Sequence, residues 1–199
     1  MNIKKSTLRR SGMILGIIIV IVVVIMIFSS LSGSGTKNEV LIQTNMGNIT
    51  VQLYPSKAPI TVQNFENYVK AGFYNGTVFH RVMKGFVIQG GGYTINGTLK
   101  QTNPPIKLES DNGLSNIKYT IAMARTNDPN SATSQFFINT ADNTYLDYST
   151  SNPGYAVFGK VVSGMNIVDE IENIPVTTKY GMQNWPVQNV VIEKMSMIN

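Results

Sequence analysis

The hydrophobic pattern changes character once along the chain, from an unbroken apolar block to short alternating segments. Residues 13–28 carry no polar side chain, and the run widens to 20 residues over 12–31. As a helix it would span roughly 30 Å, the thickness of a bilayer's hydrocarbon core. In lipid such a helix satisfies its backbone internally; in water it would have to be buried on every side. Lys4, Lys5, Arg9 and Arg10 precede it, and no acidic residue occurs before Glu39. The expected organisation is a basic cytoplasmic segment (1–11), a single transmembrane anchor (12–31), a Ser/Gly linker (32–38) and a folded domain (39–199). The positive charges keep the N-terminus cytoplasmic and send the domain outside, and the linker leaves its orientation free. The alternative is a cleaved signal sequence. Ser30-Leu31-Ser32 has the small-x-small form of a cleavage site, and release near Ser32 would leave a secreted domain. The length and the Ile/Val density of the run favour the anchor.

Beyond residue 38 the apolar positions recur mostly every second residue, the period of a half-buried strand. Val40, Ile42 and Thr44 alternate with Leu41 and Gln43; Ile49, Val51 and Leu53 alternate with Thr50, Gln52 and Tyr54. The turn residues 45–48 between them predict a hairpin. Further strands are expected over 77–83, 86–89, 119–124, 135–139, 156–162 and 187–195. Two stretches have helical spacing instead. Val62, Phe65 and Val69 share one face of 59–71, started by Pro59 and stopped by Gly72. Met165, Val168 and Ile171 share one face of 164–173, with Asp169, Glu170 and Glu172 mainly outward. Many strands, few helices and Gly-marked turns indicate a mainly β barrel or sandwich closed by helices.

Composition narrows the chemistry. The chain has no Cys and one His, which removes disulfides, thiol nucleophiles, iron–sulfur clusters and ordinary zinc sites. The net charge of +5 belongs to the N-terminus: from Lys37 onward there are 12 basic and 11 acidic residues. The domain therefore offers no basic face for nucleic acid, and nothing in it calls for obligate oligomers, so it is read as a monomer. With no nucleophile motif and no second His, Ser/His/Asp hydrolysis has no support. His80 is read as structural. Strict alternation would turn it away from Arg81 and put Phe79 and Arg81 on one face. Asn48, Asn75 and Asn96 each begin an Asn-x-Thr triplet; they are read as chance occurrences, with glycosylation of an exported domain as the alternative.

Three segments carry a resemblance. Residues 79–91 read FHRVMKGFVIQGG; Met123-Ala124-Arg125 is followed by Ser134-Gln135-Phe136-Phe137-Ile138; and residues 155–161 read YAVFGKV. Together they resemble the cyclophilins, the peptidyl-prolyl cis/trans isomerases, most closely the bacterial-type single-domain members, over about residues 39–195. The resemblance implies a closed eight-stranded antiparallel barrel capped by two helices.

It also implies a reaction. Rotation about an Xaa-Pro bond meets a barrier of ~20 kcal/mol set by amide resonance. Catalysis needs a site that binds the twisted amide better than either planar form, and no cofactor or metal. The resemblance implies Arg81, Phe86, Gln89 and Phe137 as the catalytic set, with Arg81 lying against the prolyl amide. Val87, Ala124, Arg125, Gln135, Tyr145, Leu146 and Tyr155 are implied as substrate-binding residues. Phe136 is expected in the core and Phe137 on the pocket floor. Gln89 and Gln135 are expected to hold the arginine and the substrate backbone. The main chain of Ala124 and Arg125 is expected to pair with an extended peptide. This chain departs from common members at several points. Val87 stands where many have Met, Arg125 where many have Asn, Tyr145 where a Trp is common and Tyr155 where a His is common, so weak cyclosporin affinity is expected. The implied function is isomerisation of proline-containing segments of exported or membrane proteins during folding. The alternative is a catalytically weak proline-peptide binding or chaperone module on the same fold. A generic barrel that binds some other ligand would leave the FHRV..GFVIQGG motif unexplained.

Overall fold

The computed structural model describes residues 38–198. The basic segment, the anchor and most of the linker lie outside that range. Among the described residues no helix is long and apolar enough to cross a membrane.

The alternating segments become strands. β1 (Glu39–Thr44) and β2 (Gly47–Leu53) form the expected hairpin. They are followed by α1 (Pro59–Lys70), β3 (Thr77–Met83), β4 (Val87–Thr94), β5 (Thr120–Met123), β6 (Phe136–Asn139), β7 (Val157–Ser163), α2 (Met165–Glu172), β8 (Val176–Lys179), β9 (Met182–Pro186) and β10 (Val191–Ile198). Eight strands close an antiparallel barrel in the order β1-β10-β3-β4-β6-β5-β7-β2. Closure leaves the barrel itself no free edge.

Both helices feed the barrel's core. Val62, Phe65 and Val69 of α1 and Val168 and Ile171 of α2 join the same buried cluster as Ile42, Val51, Phe136 and Phe158 from the strands. Phe65 sits 5.6 Å from Phe136, edge to face, and 5.0 Å from Phe158. Such aromatic pairs contribute about 0.5–1.5 kcal/mol each beyond the area they bury. α1 has Pro at its start and no side-chain cap of its own. Its free N–H groups are met from far along the chain, where the Glu109 carboxylate accepts from Ile60 N (3.1 Å) and Thr61 N (2.8 Å). A carboxylate there also complements the helix dipole.

The structure corrects the sequence reading in three places. The strand expected over 86–89 starts at Val87 and runs on through three glycines to Thr94. The strand expected over 187–195 begins only at Val191, because Val187 lies in the connection, 53% exposed. Between α2 and β10 the chain forms an unexpected second hairpin, β8–β9. Its turn residues Tyr180 and Gly181 both have positive φ, 54° and 77°, the conformation a tight hairpin turn requires. The hairpin folds on Trp185, which is fully buried and packs against Tyr180, Tyr93 and His80.

Candidate active site

Simple alternation fails in β3, and the failure builds the site. Phe79 pairs with Gly90 while Arg81 pairs with Gln89, so two steps along β3 match one along β4. His80 is the extra residue of a bulge, which shifts the phase of the strand. Phe79 and Val82 therefore face the barrel core. His80, Arg81 and Met83 all line a cavity on the other side of the barrel wall. Phe79 and Arg81 do not share a face, and His80 does not turn away from Arg81. Both corrections come from the one inserted residue.

Across β4, β6, β5 and β7 the wall sorts its apolar side chains into two groups. Ile88, Ile121, Phe136, Ile138 and Phe158 point into the core. Val87, Ala122, Phe137 and Val157 form a second, separate apolar cluster, joined by Phe86, Ala124, Leu146 and Tyr155. Phe136 is thus core and Phe137 belongs to the outer cluster. That cluster floors a cavity of about 180 Å³ lined by Arg81, Phe86, Val87, Gln89, Ala124, Arg125, Phe137, Leu146 and Tyr155. Every lining residue is one the sequence singled out. Two residues of that set stand outside it. Gln135 lines a wider neighbouring cavity of about 590 Å³, together with His80, Met83, Tyr93 and Met182, Gln183 and Asn184 of the β8–β9 hairpin. Tyr145 is 65% exposed and stacks on Phe86 with ring centres 6.2 Å apart.

The polar wall is a relay of neutral groups ending on a cation. Gln89 Nε2 donates to Gln135 Oε1 (3.0 Å), and Arg81 Nη1 donates to Gln89 Oε1 (3.2 Å). The guanidinium also lies 5.6 Å from the Phe86 ring centre. The relay needs the backbone of Gly92, since a Cβ there would stand 2.6 Å from the Gln135 side chain. Across the mouth, Arg125 donates from Nε to Gly154 O (2.9 Å) and from Nη1 to Thr126 O (2.8 Å), and lies 4.5 Å above the Tyr155 ring centre. Tyr155 in turn meets Phe137 edge to face at 5.6 Å. The backbone N–H of Ala124 is engaged by Gln135 O at 3.0 Å, so any peptide pairing along this stretch must use its other main-chain groups.

Sequence reasoning missed what holds the apolar wall in place. Asn116, Asn139 and Asn143 are buried. Asn143 Nδ2 donates to Phe86 O (2.9 Å) and Asn139 Oδ1 (2.8 Å), and Asn139 Nδ2 donates to Thr120 Oγ1 (2.9 Å). Asn116 Nδ2 reaches Asp147 Oδ1 (2.9 Å) and Leu146 O (3.3 Å). Buried amides are retained only when paired, and these pairs tie the Phe86 and Leu146 main chains together. No local sequence signal marks three separated Asn residues as one network. His80, the sole imidazole, is 5% exposed. Its pKa is pushed down to about 4, first by burial and further by the Arg81 charge, against a raising contribution from a backbone hydrogen bond at Val78. It is neutral at pH 7.

A shallow apolar cavity floored by Phe137, with the Arg81 guanidinium held on its wall by Gln89, suits a small non-polar ring attached to a polar amide. The comparisons agree. Residues 39–197 match the family of cyclophilin type peptidyl-prolyl cis-trans isomerase/CLD. The chain belongs to the cyclophilin-type peptidyl-prolyl cis-trans isomerases. Among its cyclophilin relatives, a peptidyl-prolyl cis-trans isomerase of Acinetobacter baylyi is 58% identical over 154 residues, covering 77% of this chain and 81% of the relative. Peptidyl-prolyl cis-trans isomerase B of Escherichia coli is 48% identical over 162 residues, covering 79% and 98%. A Cryptosporidium parvum cyclophilin solved in the presence of the dipeptide Ala-Pro superposes with a TM-score of 0.68 at 28% identity, covering 81% of this chain and 99% of that one.

Proposed function

We propose that this cyclophilin isomerises Xaa-Pro bonds by non-covalent stabilisation of the twisted amide, with the proline ring on Phe137 and Arg81 as the donor. Resonance holds the amide planar. As the bond twists, conjugation is lost and the prolyl nitrogen regains a lone pair. A fixed guanidinium beside it favours that form over both planar ones, which is differential binding of the transition state. Gln89 and Gln135 act as positioning residues that hold the guanidinium in one place before the substrate arrives. Phe86, Val87, Leu146 and Tyr155 exclude water, which strengthens the cation's effect. The observation that supports this most directly is the single cavity on which Arg81, Phe86, Gln89 and Phe137 converge. The proximity of Arg125 and Tyr145 to the same mouth supports peptide contacts beyond the proline.

Its substrates are proline-containing segments of exported or membrane proteins as they fold. The apolar run over residues 12–31, preceded by Lys4, Lys5, Arg9 and Arg10, supports this placement. It fits a domain tethered by one span on the outer side of a membrane. Slow prolyl isomerisation limits folding there as elsewhere.

The test is cis/trans exchange of an Ala-Xaa-Pro-Phe peptide by NMR, using the full-length chain in non-ionic detergent beside Arg81→Ala. Accelerated exchange that is lost in the variant is expected. Peptide binding without acceleration would make the domain a proline-peptide receptor. Unchanged turnover in Arg81→Ala would remove the arginine from the mechanism.

A further inference from the structure

From Lys37 onward the chain contains only two arginines, and every other cationic side chain is a lysine. Both arginines, Arg81 and Arg125, line the same 180 Å³ cavity. Both are held by uncharged groups: Arg81 by the Gln89 amide, and Arg125 by two main-chain carbonyls and the Tyr155 ring. The ion pairs among the described residues, Lys70–Glu66 and Lys118–Asp169, involve neither. No Asp or Glu lines this cavity or the wider one beside it. Asp147 follows the lining residue Leu146, but its carboxylate is turned inward onto Ser115, Asn116 N and Asn116 Nδ2. Asp128, three residues past Arg125, accepts from Asn130 N at 2.9 Å.

The cleft thus holds two uncompensated positive charges in a domain whose charges otherwise nearly balance. Arg125 is fixed through Nε and Nη1, two of its five N–H donors, and among the described residues Nη2 has no partner, which leaves a charged donor for a carboxylate. We infer that the cleft selects proline segments with a carboxylate side chain, Asp or Glu, directly beside the proline, and that Arg125 reads it. This rests on the reading above that the proline enters the Phe137 cavity. A half-exposed pair of this kind gives about a three- to fivefold preference, weakened by salt.

The test compares peptides with Glu, Gln or Lys before proline, and the same three after it, on the full-length chain in non-ionic detergent. Two quantities are read: kcat/KM for exchange and, separately, Kd by chemical-shift titration. On one side of the proline, Glu should exceed Gln by about three- to fivefold, with Lys weakest. The spread should shrink at about 0.5 M salt. Arg125→Gln should bring the Glu-to-Gln ratio below about twofold, and Arg125→Lys should retain part of it. Equal Kd values for the three peptides on both sides would overturn the proposal. So would an Arg125→Gln variant that weakens all three by the same factor, the signature of a loop strut. If the Gln peptides bind without faster exchange, the isomerase mechanism falls while the Kd ratios still decide the charge preference.

Discussion

Phe79 and Arg81 are two residues apart in β3 yet lie on opposite sides of the barrel wall, Phe79 fully buried in the core and Arg81 on the outer cavity. The bulge at His80 makes this possible. It lets the strand fill the core with Phe79 and Val82 while presenting Arg81 to the Phe137 floor. Removing the guanidinium by Arg81→Ala leaves the core untouched. Turnover is expected to fall about 100-fold or more, the usual loss for one preorganised donor. The melting temperature should change little. Exchange spectroscopy and a thermal melt on the same samples check both.

Gly91 and Gly92 separate stability from activity. Gly91 has φ +82°, and a Cβ there would stand 2.8 Å from the Phe136 ring and 2.9 Å from the Tyr74 ring. Gly91→Ala combines backbone strain with overpacking and should destabilise by about 3 kcal/mol. At Gly92 the three nearest atoms to an added Cβ all belong to the flexible Gln135 side chain. Gly92→Ala is expected to keep nearly all stability but push Gln135 off Gln89. Turnover should then drop about tenfold as Arg81 loses its support. Denaturant melts and exchange rates for the two variants distinguish the cases.

Asn143 anchors Phe86 to the buried amide network. Asn143→Ala leaves the Phe86 carbonyl and the Asn139 amide short of a partner. The expected loss is about 1–3 kcal/mol of stability, with a rise in KM from a loosened pocket wall. Asn143→Asp keeps the shape but replaces donor with acceptor, and should be no better.

His80 links stability to pH. Its folded pKa, about 4, lies below the usual 6.5. The unfolded state therefore binds the proton more readily, and stability is lost as pH falls from about 6.5 towards 4. The full effect is on the order of 3 kcal/mol. Urea melts at pH 7 and pH 4.5 should show this loss in the wild type and a smaller one in His80→Gln. An equal loss in both would assign the acid sensitivity to other groups.

Much of the barrel is written locally. The β1–β2 hairpin and the two apolar helix stripes follow from period-two and period-3.6 spacing, which any chain segment expresses without help from its neighbours. That Phe136 and Phe137 point to opposite faces is equally local; which of the two enters the core was implied by the family resemblance. The cavity-lining residues were legible through the family resemblance, carried by FHRV..GFVIQGG, Met123-Ala124-Arg125, the SQFFI run and YAVFGKV. What was not legible depends on partners distant in sequence. The bulge at His80 exists because β3 must match β4 across the barrel. Glu109 caps a helix 48 residues before it. The β8–β9 hairpin carried a turn signal in Tyr180-Gly181, but its place is decided by Trp185 burying itself among Tyr93, His80 and Tyr180. The sequence by itself determined the family, the alternation of the barrel strands and the two helices, and the identities of the residues that line the cavity. The tertiary structure alone decided which way Arg81 points and what holds Phe86 in place. Those depend on register and on hydrogen bonds between residues brought together only when the barrel closes, and local periodicity does not encode them.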